Sequence, residues 1–464
     1  MQIKTKQSQS TGKTFTIEIM LIIPLCILAV LLYASLGRPV WIDEFLHFTF
    51  ASFDSTASTW SAITQTLSNV NHGQTGIYML VNYWLLTFWG ADVLALRAPS
   101  LLSAFLLCYF SALTLRIRGH GFAWQVVAIF IMFCQAELMY FAGEARPYMP
   151  LATASVGTLV YYLASPTQRT FVGVRLIGWF SVLLGVLIHP YFSLYWLTIA
   201  AFGLWLTWFN DELRLTLDSL LKYLNLPLCV VGSFVYLALA SQTWLTGSPV
   251  FDRDPFRFMP QSDLYYLFVW QHTTFLGPNR GGENFLILTF TSLIIFFLLP
   301  VKIKENIRSA IPPIILIYLA LSLSILLSLL SYYQSYWILT RQWVASIALV
   351  AVGFTWLCAE LMAILTKALP NKKYRPILFV IFLWLVLFCW QVSSPKTKML
   401  WSDLIRQFGT ATISPQNGPP DRIACPISPD TWVELANNNL NEGTPVWKIF
   451  RFYYSSADNP YCIE

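Results

Sequence analysis

Charge is scarce in this chain: 11% of its residues are Asp, Glu, Lys or Arg, against about 25% in an ordinary soluble domain. That shortage, beside an apolar share of 56%, excludes a single water-soluble globule, a disordered chain and a collagen-like fibre. No tract rich in Lys and Arg is present, so nucleic acid is not expected as a partner. CxxC, HExxH and GxGxxG are all missing, which leaves metal and dinucleotide chemistry without sequence support. Cysteine is sparse where it could cross-link. Six of the eight (Cys26, Cys108, Cys134, Cys229, Cys358 and Cys389) sit in apolar runs and read as small buried hydrophobes. Cys425 and Cys462 alone lie in polar surroundings.

What the chain has instead is length, aromatic residues (16%) and long apolar runs, with a mean hydropathy of +0.58. A membrane helix needs about 20 mainly apolar residues. Runs of that kind fall at 19–36, 94–115, 122–141, 147–164, 171–189, 191–209, 223–241, 284–301, 309–331, 344–366 and 377–393. They predict an all-α polytopic membrane protein with about eleven transmembrane helices. The first run follows Lys4, Lys6 and Lys13 and exceeds a signal-peptide core, so it reads as a retained anchor.

Segment 75–90 is apolar but short, contains Asn82 and is followed closely by Asp92 and Arg97. Reading it as a helix along the interface sends Arg116, Arg118, Arg169, Arg175, Arg214, Lys222, Lys302, Lys304, Arg308, Lys367, Lys372, Lys373 and Arg375 to the side of the N-terminus. That is the positive-inside pattern, whereas counting 75–90 as a span would invert every later loop. On this topology the outer cations before residue 394 are all arginine: Arg38, Arg97, Arg146, Arg253, Arg257, Arg280 and Arg341. Guanidinium is the better bidentate phosphate ligand, so an outer cavity that handles phosphate stands beside the simpler reading that Lys prefers cytoplasmic loops. Net charge, +6, suits loops facing anionic lipid.

Three outer regions are large enough to build a site: 37–93, 242–283 and the tail 394–464, which reads as a small extracytoplasmic domain after the transmembrane domain 1–393. Cys425 and Cys462 would there face an oxidising compartment and could pair, stabilising the tail by about 3–4 kcal/mol. On the inner side, 210–224 carries Leu213, Leu217, Leu220, Leu221 and Leu224 on one face and reads as a surface-lying amphipathic helix. No internal repeat is evident.

Chemistry concentrates at a few outer positions. Asp43 and Glu44 follow the first span within RPVWIDEFLHF; burial and mutual repulsion would raise a carboxyl pKa there, as a general base near neutral pH requires. An ion pair with Arg38 is the structural alternative. Glu144-Ala145-Arg146-Pro147-Tyr148 opens another span on the same face, with Pro147 expected in the first helical turn and a helix N-terminus suited to an anion. Glu137 sits inside an apolar run, where a carboxylate is functional or paired, with Arg146 or Arg97 as the partner. His189, ahead of Pro190, and His72 in NHGQTG complete the polar set, with His47 beside the acidic pair.

The order of these parts — acidic pair, His-led segment, LRAPSLLSAFLL (96–107), Glu-Ala-Arg-Pro-Tyr (144–148), TRQW (340–343) — resembles the GT-C membrane glycosyltransferases of the protein O-mannosyltransferase and aminoarabinose-transferase kind, glycosyltransferase family 39. The likeness is specific over about 38–150 and architectural beyond. It implies a GT-C-like fold with extracytoplasmic interfacial helices, a polyprenyl-phosphate sugar donor, and catalysis on the extracytoplasmic face of a bacterial inner membrane. By the same resemblance Asp43 matches the candidate base with Glu44 beside it. Arg97 matches the Leu-Arg-x-Pro arginine expected near donor phosphate. Glu144, Arg146 and Tyr148 match the Glu-Ala-Arg-x-Tyr motif, and Arg341 a late phosphate-meeting arginine. This chain departs from the family with His72-Gly73-Gln74 in place of His-Pro-Pro, and with Arg341-Gln342 in place of Arg-Tyr.

The expected reaction is transfer of one monosaccharide to a glycolipid, envelope glycan or protein, inverting the anomeric centre. Asp43 and Glu44 would be catalytic and Arg97, Arg146 and Arg341 would bind phosphate, with Glu137, Glu144, Tyr148, His72 and His189 supporting them. No cofactor or metal ligand set is expected, although a divalent metal is compatible with the family. Two rivals differ in where their residues lie. An O-antigen ligase or polymerase would depend on Arg253, Arg257 and Arg280; a lipid-linked sugar flippase would show paired repeats and midplane charges.

Overall fold

The computed structural model describes residues 55–69, 75–90, 93–135, 141–165, 168–189, 191–209, 309–333 and 343–368, with isolated positions 22, 25, 26, 29, 44, 47 and 138. Every described element is helical: α1 Thr56–Asn69, α2 Ile77–Trp89, α3 Val93–Ile117, α4 Phe122–Cys134, α5 Tyr148–Leu163, α6 Val172–Ile188, α7 Phe192–Phe209, α8 Ile311–Tyr333 and α9 Val344–Ala368, with a 3₁₀ turn Gln168–Thr170 before α6. The expected spans 94–115, 147–164, 171–189, 191–209, 309–331 and 344–366 each coincide with one of these helices. Those at 19–36, 223–241, 284–301 and 377–393 lie wholly or largely outside the described residues. So do the loop 242–283, the amphipathic stretch 210–224 and the tail with Cys425 and Cys462.

Two of the helices, over Leu94–Ile117 and Val344–Ile364, are long and apolar enough to cross a membrane by themselves. The outward faces are greasy: Leu102, Phe130, Trp179, Phe180, Leu183, Leu197, Trp208 and Tyr318 are all exposed. Such a surface suits lipid rather than water as the surrounding solvent. Cys108 and Cys358 are buried as expected, whereas Cys26 is exposed.

The bundle is organised around α5. All sixteen of its residues are buried, and it packs against α3, α6, α7 and α9. Its sequence explains how one helix can be surrounded: Ala152, Ala154, Ser155, Gly157 and Thr158 are small, so neighbouring backbones approach closely. Its hydroxyls do not burden that core, since Ser155 donates to the Leu151 carbonyl at 2.9 Å and Thr158 to the Ala154 carbonyl at 2.7 Å. The α5–α6 seam depends on glycine. A Cβ added at Gly178 would lie 2.6 Å from ring atoms of Tyr161, and one at Gly157 would collide with Ser181 and Phe110. Gly178→Ala should therefore destabilise the bundle by about 1–3 kcal/mol through overpacking. The check is its thermal unfolding midpoint in detergent against that of Gly173→Ala, where a Cβ meets nothing within 4 Å.

Two expectations need correction. The apolar run 122–141 does not form one helix: α4 stops at Cys134, and Gln135 turns extended (φ −74°, ψ 100°). Its side chain donates back to the Ile131 carbonyl at 3.3 Å, a local bond that competes with continuing the helix. Pro147 is not in the first turn of α5 but one residue before it, in an αR conformation, and its carbonyl accepts the N–H of Leu151 at 3.0 Å.

Segment 75–90 forms the 13-residue helix α2, about 20 Å long and short of a bilayer core of about 30 Å. Its side chains show how far it travels along α3. Tyr78 meets Ser100 and Asn82 meets Leu96, so α2 accompanies only the first turns of α3. Asn82 gives its amide N–H to the Leu96 carbonyl, in the stretch where Pro99 removes a backbone donor from the helix ladder. Asn82→Leu should cost about 1–3 kcal/mol by leaving that buried carbonyl without its side-chain donor, again read from thermal unfolding.

Candidate active site

One end of the bundle gathers the polar side chains. It comprises the starts of α3 and α5, the break between α6 and α7, the N-terminal turns of α2, and Glu44. Glu44 and Arg97 are buried, 0% and 1% exposed, and form a fork: Arg97 donates from Nε to Oε1 at 3.0 Å and from Nη2 to Oε2 at 2.8 Å. Fixed, desolvated fork geometry of this kind is what guanidinium does better than ammonium. Glu44 Oε1 also accepts the backbone N–H of Ala145 at 2.5 Å. A residue adjacent to Asp43 is thus fastened to the residue adjacent to Arg146.

The turn from Glu144 to Pro147 is not helical, and Arg146 N–H bonds back to the Glu144 carbonyl at 2.8 Å. Its remaining hold comes from outside. Ser100, three residues after Arg97 on α3, donates its hydroxyl to the Arg146 carbonyl at 3.1 Å and shares a 2.7 Å hydrogen bond with the Tyr78 hydroxyl. The Arg146 side chain, 3% exposed, donates from Nη2 to the Tyr148 hydroxyl at 3.3 Å, with its guanidinium carbon 5.5 Å from the Tyr148 ring centre. Glu144 is buried in the same turn.

His189 caps the end of α6, outside both α6 and α7. Its ring lies 6.3 Å from that of Tyr148 and 5.0 Å from that of Tyr191. The Tyr191 N–H donates to His189 Nδ1 at 3.2 Å, so Nδ1 carries no proton. A ring that accepts at Nδ1 is a neutral hydrogen-bonding group, not a second cation. Thr75 at the start of α2 donates to the carbonyls of Leu187 and Ile188, tying α2 to the same break. His47 is buried with its ring edge-on to Tyr78 at 5.5 Å.

Of the residues expected from sequence, Glu44, Arg97, Glu144, Arg146, Tyr148 and His189 therefore come together. Asp43, His72, Glu137 and Arg341 lie outside the described residues. Ser100 and Tyr78 were missed. The former was findable, because it shares a helix face with Arg97 one turn on; the latter was not, since its contact depends on how α2 docks. Among the described residues no cluster of three or more His, Cys, Asp or Glu side chains is arranged to hold a metal ion.

The opposite end of the bundle carries a different constellation. His120 Nε2 and Glu360 Oε1 pair at 3.3 Å, the Trp356 indole donates to the same oxygen at 3.1 Å, and Arg118 lies over the Trp356 ring at 4.9 Å. These bonds join the α3–α4 turn to α9.

No protein-family model matches the chain, and no curated protein sequence matches it. Among solved structures it is similar to the crystal structure of ArnT from Cupriavidus metallidurans in the apo state. The identity is 15% and the TM-score 0.46, over 84% of this chain and 76% of that one. An overlay this loose establishes no residue correspondence.

Proposed function

We propose that this chain is a membrane glycosyltransferase that moves one monosaccharide from a polyprenyl-phosphate donor to an acceptor on the extracytoplasmic side. The observation that carries the reading is the fastening of Glu44 to Arg97 and to the Ala145 N–H of the Arg146 turn. It ties Glu44, the sequence neighbour of Asp43, to the backbone next to Arg146, across 101 residues of sequence.

The chemistry asks for little more. A polyprenyl phosphate is already a good leaving group, so no strong general acid is needed. A carboxylate that accepts the acceptor's hydroxyl proton as the new C–O bond forms, and a fixed cation facing the departing phosphate, suffice. Asp43 takes the first role and Arg146, with Arg341, the second. Glu44 and Arg97 then set the geometry, because their charges are already engaged with one another. Attack opposite the phosphate inverts the anomeric centre. Tyr148 and His189 flank the guanidinium and shield it from water, which strengthens its interaction with an anion.

The test is incubation of the purified protein with a panel of radiolabelled polyprenyl-phosphate sugars and envelope acceptor fractions. Transfer of label into a lipid, glycan or protein fraction supports the proposal. No transfer with any donor, together with no binding of polyprenyl phosphate, overturns it.

A further inference from the structure

We infer that Tyr78 and Ser100 are positioning residues for Arg146, acting through one directional hydrogen-bond chain that runs from α2 through α3 to the Arg146 carbonyl. The inference rests on the proposed role of Arg146 as the group that holds phosphate.

The direction follows from counting hydrogens. A serine hydroxyl has one, and the Ser100 hydrogen goes to the Arg146 carbonyl, which can only accept. In the 2.7 Å contact with Tyr78 the phenol is therefore the donor and Ser100 Oγ the acceptor. All three residues are buried, so water is a poor substitute for any link. The turn needs this hold because it has no helical ladder of its own. On one side Glu44 takes the Ala145 N–H; on the other Ser100 supplies the Arg146 carbonyl. The peptide groups on either side of the Ala145–Arg146 peptide are thereby fixed by side chains from distant segments, and the direction in which Arg146 leaves the backbone is fixed with them.

Tyr78 is itself held in place. Thr75, three residues earlier, is bonded to the end of α6, and Asn82, four residues later, to the Leu96 carbonyl. The helix α2 is thus a brace between the α6 break and the proline-interrupted start of α3, and Tyr78 transmits its position to the arginine turn. In a site where about 1 Å of misplacement is costly, such a brace acts on binding of the anion more than on the proton-transfer step.

The experiment uses the full chain in detergent with Ser100→Ala, Ser100→Thr, Tyr78→Phe and the Tyr78→Phe/Ser100→Ala pair. Amide hydrogen exchange over 141–150 reads the turn, and KM and kcat for a polyprenyl-phosphate sugar, with the affinity for polyprenyl phosphate alone, read the site. Ser100→Ala should speed exchange at the turn and raise KM about tenfold with kcat changed less than about threefold. Ser100→Thr, which keeps the hydroxyl, should restore both. Tyr78→Phe should fall between, and the double variant should be no worse than Ser100→Ala, because both act on one carbonyl. Unchanged exchange in Ser100→Ala and Tyr78→Phe, a Ser100→Thr as impaired as Ser100→Ala, or fully additive losses would overturn the inference. If the unmodified protein binds no polyprenyl phosphate, the transferase reading falls, while the exchange data still decide whether the chain of bonds orders the turn.

Discussion

Asp43→Asn is expected to abolish sugar transfer, lowering turnover by about 10²–10⁴-fold, the range a positioned general base contributes. Polyprenyl-phosphate affinity should stay within about threefold, because the cations proposed to meet the phosphate are untouched. The expectation draws on what surrounds Glu44. Its oxygens accept two N–H groups of Arg97 and one of Ala145, so that carboxylate is committed to holding structure. Of the acidic pair, Asp43 is therefore the one proposed to accept the proton. The asparagine is nearly isosteric and keeps an oxygen for hydrogen bonding, so loss of turnover would report loss of the base and not a collapsed loop. Turnover close to that of the unmodified protein would remove Asp43 from the mechanism. Arg146→Met supplies the complementary arm: it should weaken donor binding if the guanidinium holds phosphate as proposed.

Among the described residues the helical course was largely legible in the apolar runs, because a helix crossing lipid must satisfy every backbone group internally and shield itself with apolar side chains. The end of α4 was not. Apolar residues continue to Phe141 around Gln135 and Glu137, and composition does not show that the backbone turns extended at Gln135. Asn82 was legible as a reason against a spanning helix, but its bond to the Leu96 carbonyl depends on how two helices dock. At the site, the arginines and carboxylates announced themselves as rare charges in an apolar chain. Their pairing did not. Sequence reasoning weighed Glu44 against Arg38, and Arg97 against Glu137, whereas the fold joins Glu44 to Arg97 across 53 residues. Charge attraction has no memory of sequence distance, and only the three-dimensional path of α3 selects among equally charged candidates.

That pairing carries the largest stability effect. Removing one member of a buried ion pair leaves the other charge without compensation, at a cost of about 3–5 kcal/mol. Glu44→Gln should therefore lower the unfolding midpoint in detergent sharply, and Arg97→Met should do the same. Neutralising both, as Glu44→Gln with Arg97→Gln, removes the stranded charge and leaves an amide oxygen that can still accept the Ala145 N–H. The double variant should be more stable than either single one, which a double-mutant cycle reads as a large coupling energy. Exchanging the two charges, Glu44→Arg with Arg97→Glu, should not rescue. A guanidinium at position 44 has no acceptor to offer Ala145, whose N–H sits 2.5 Å from the carboxylate oxygen there. A stable, exchanged pair would show that the two side chains merely neutralise one another. Failure of the exchange beside success of the double neutral variant would tie the acid at 44 to the backbone of the arginine turn.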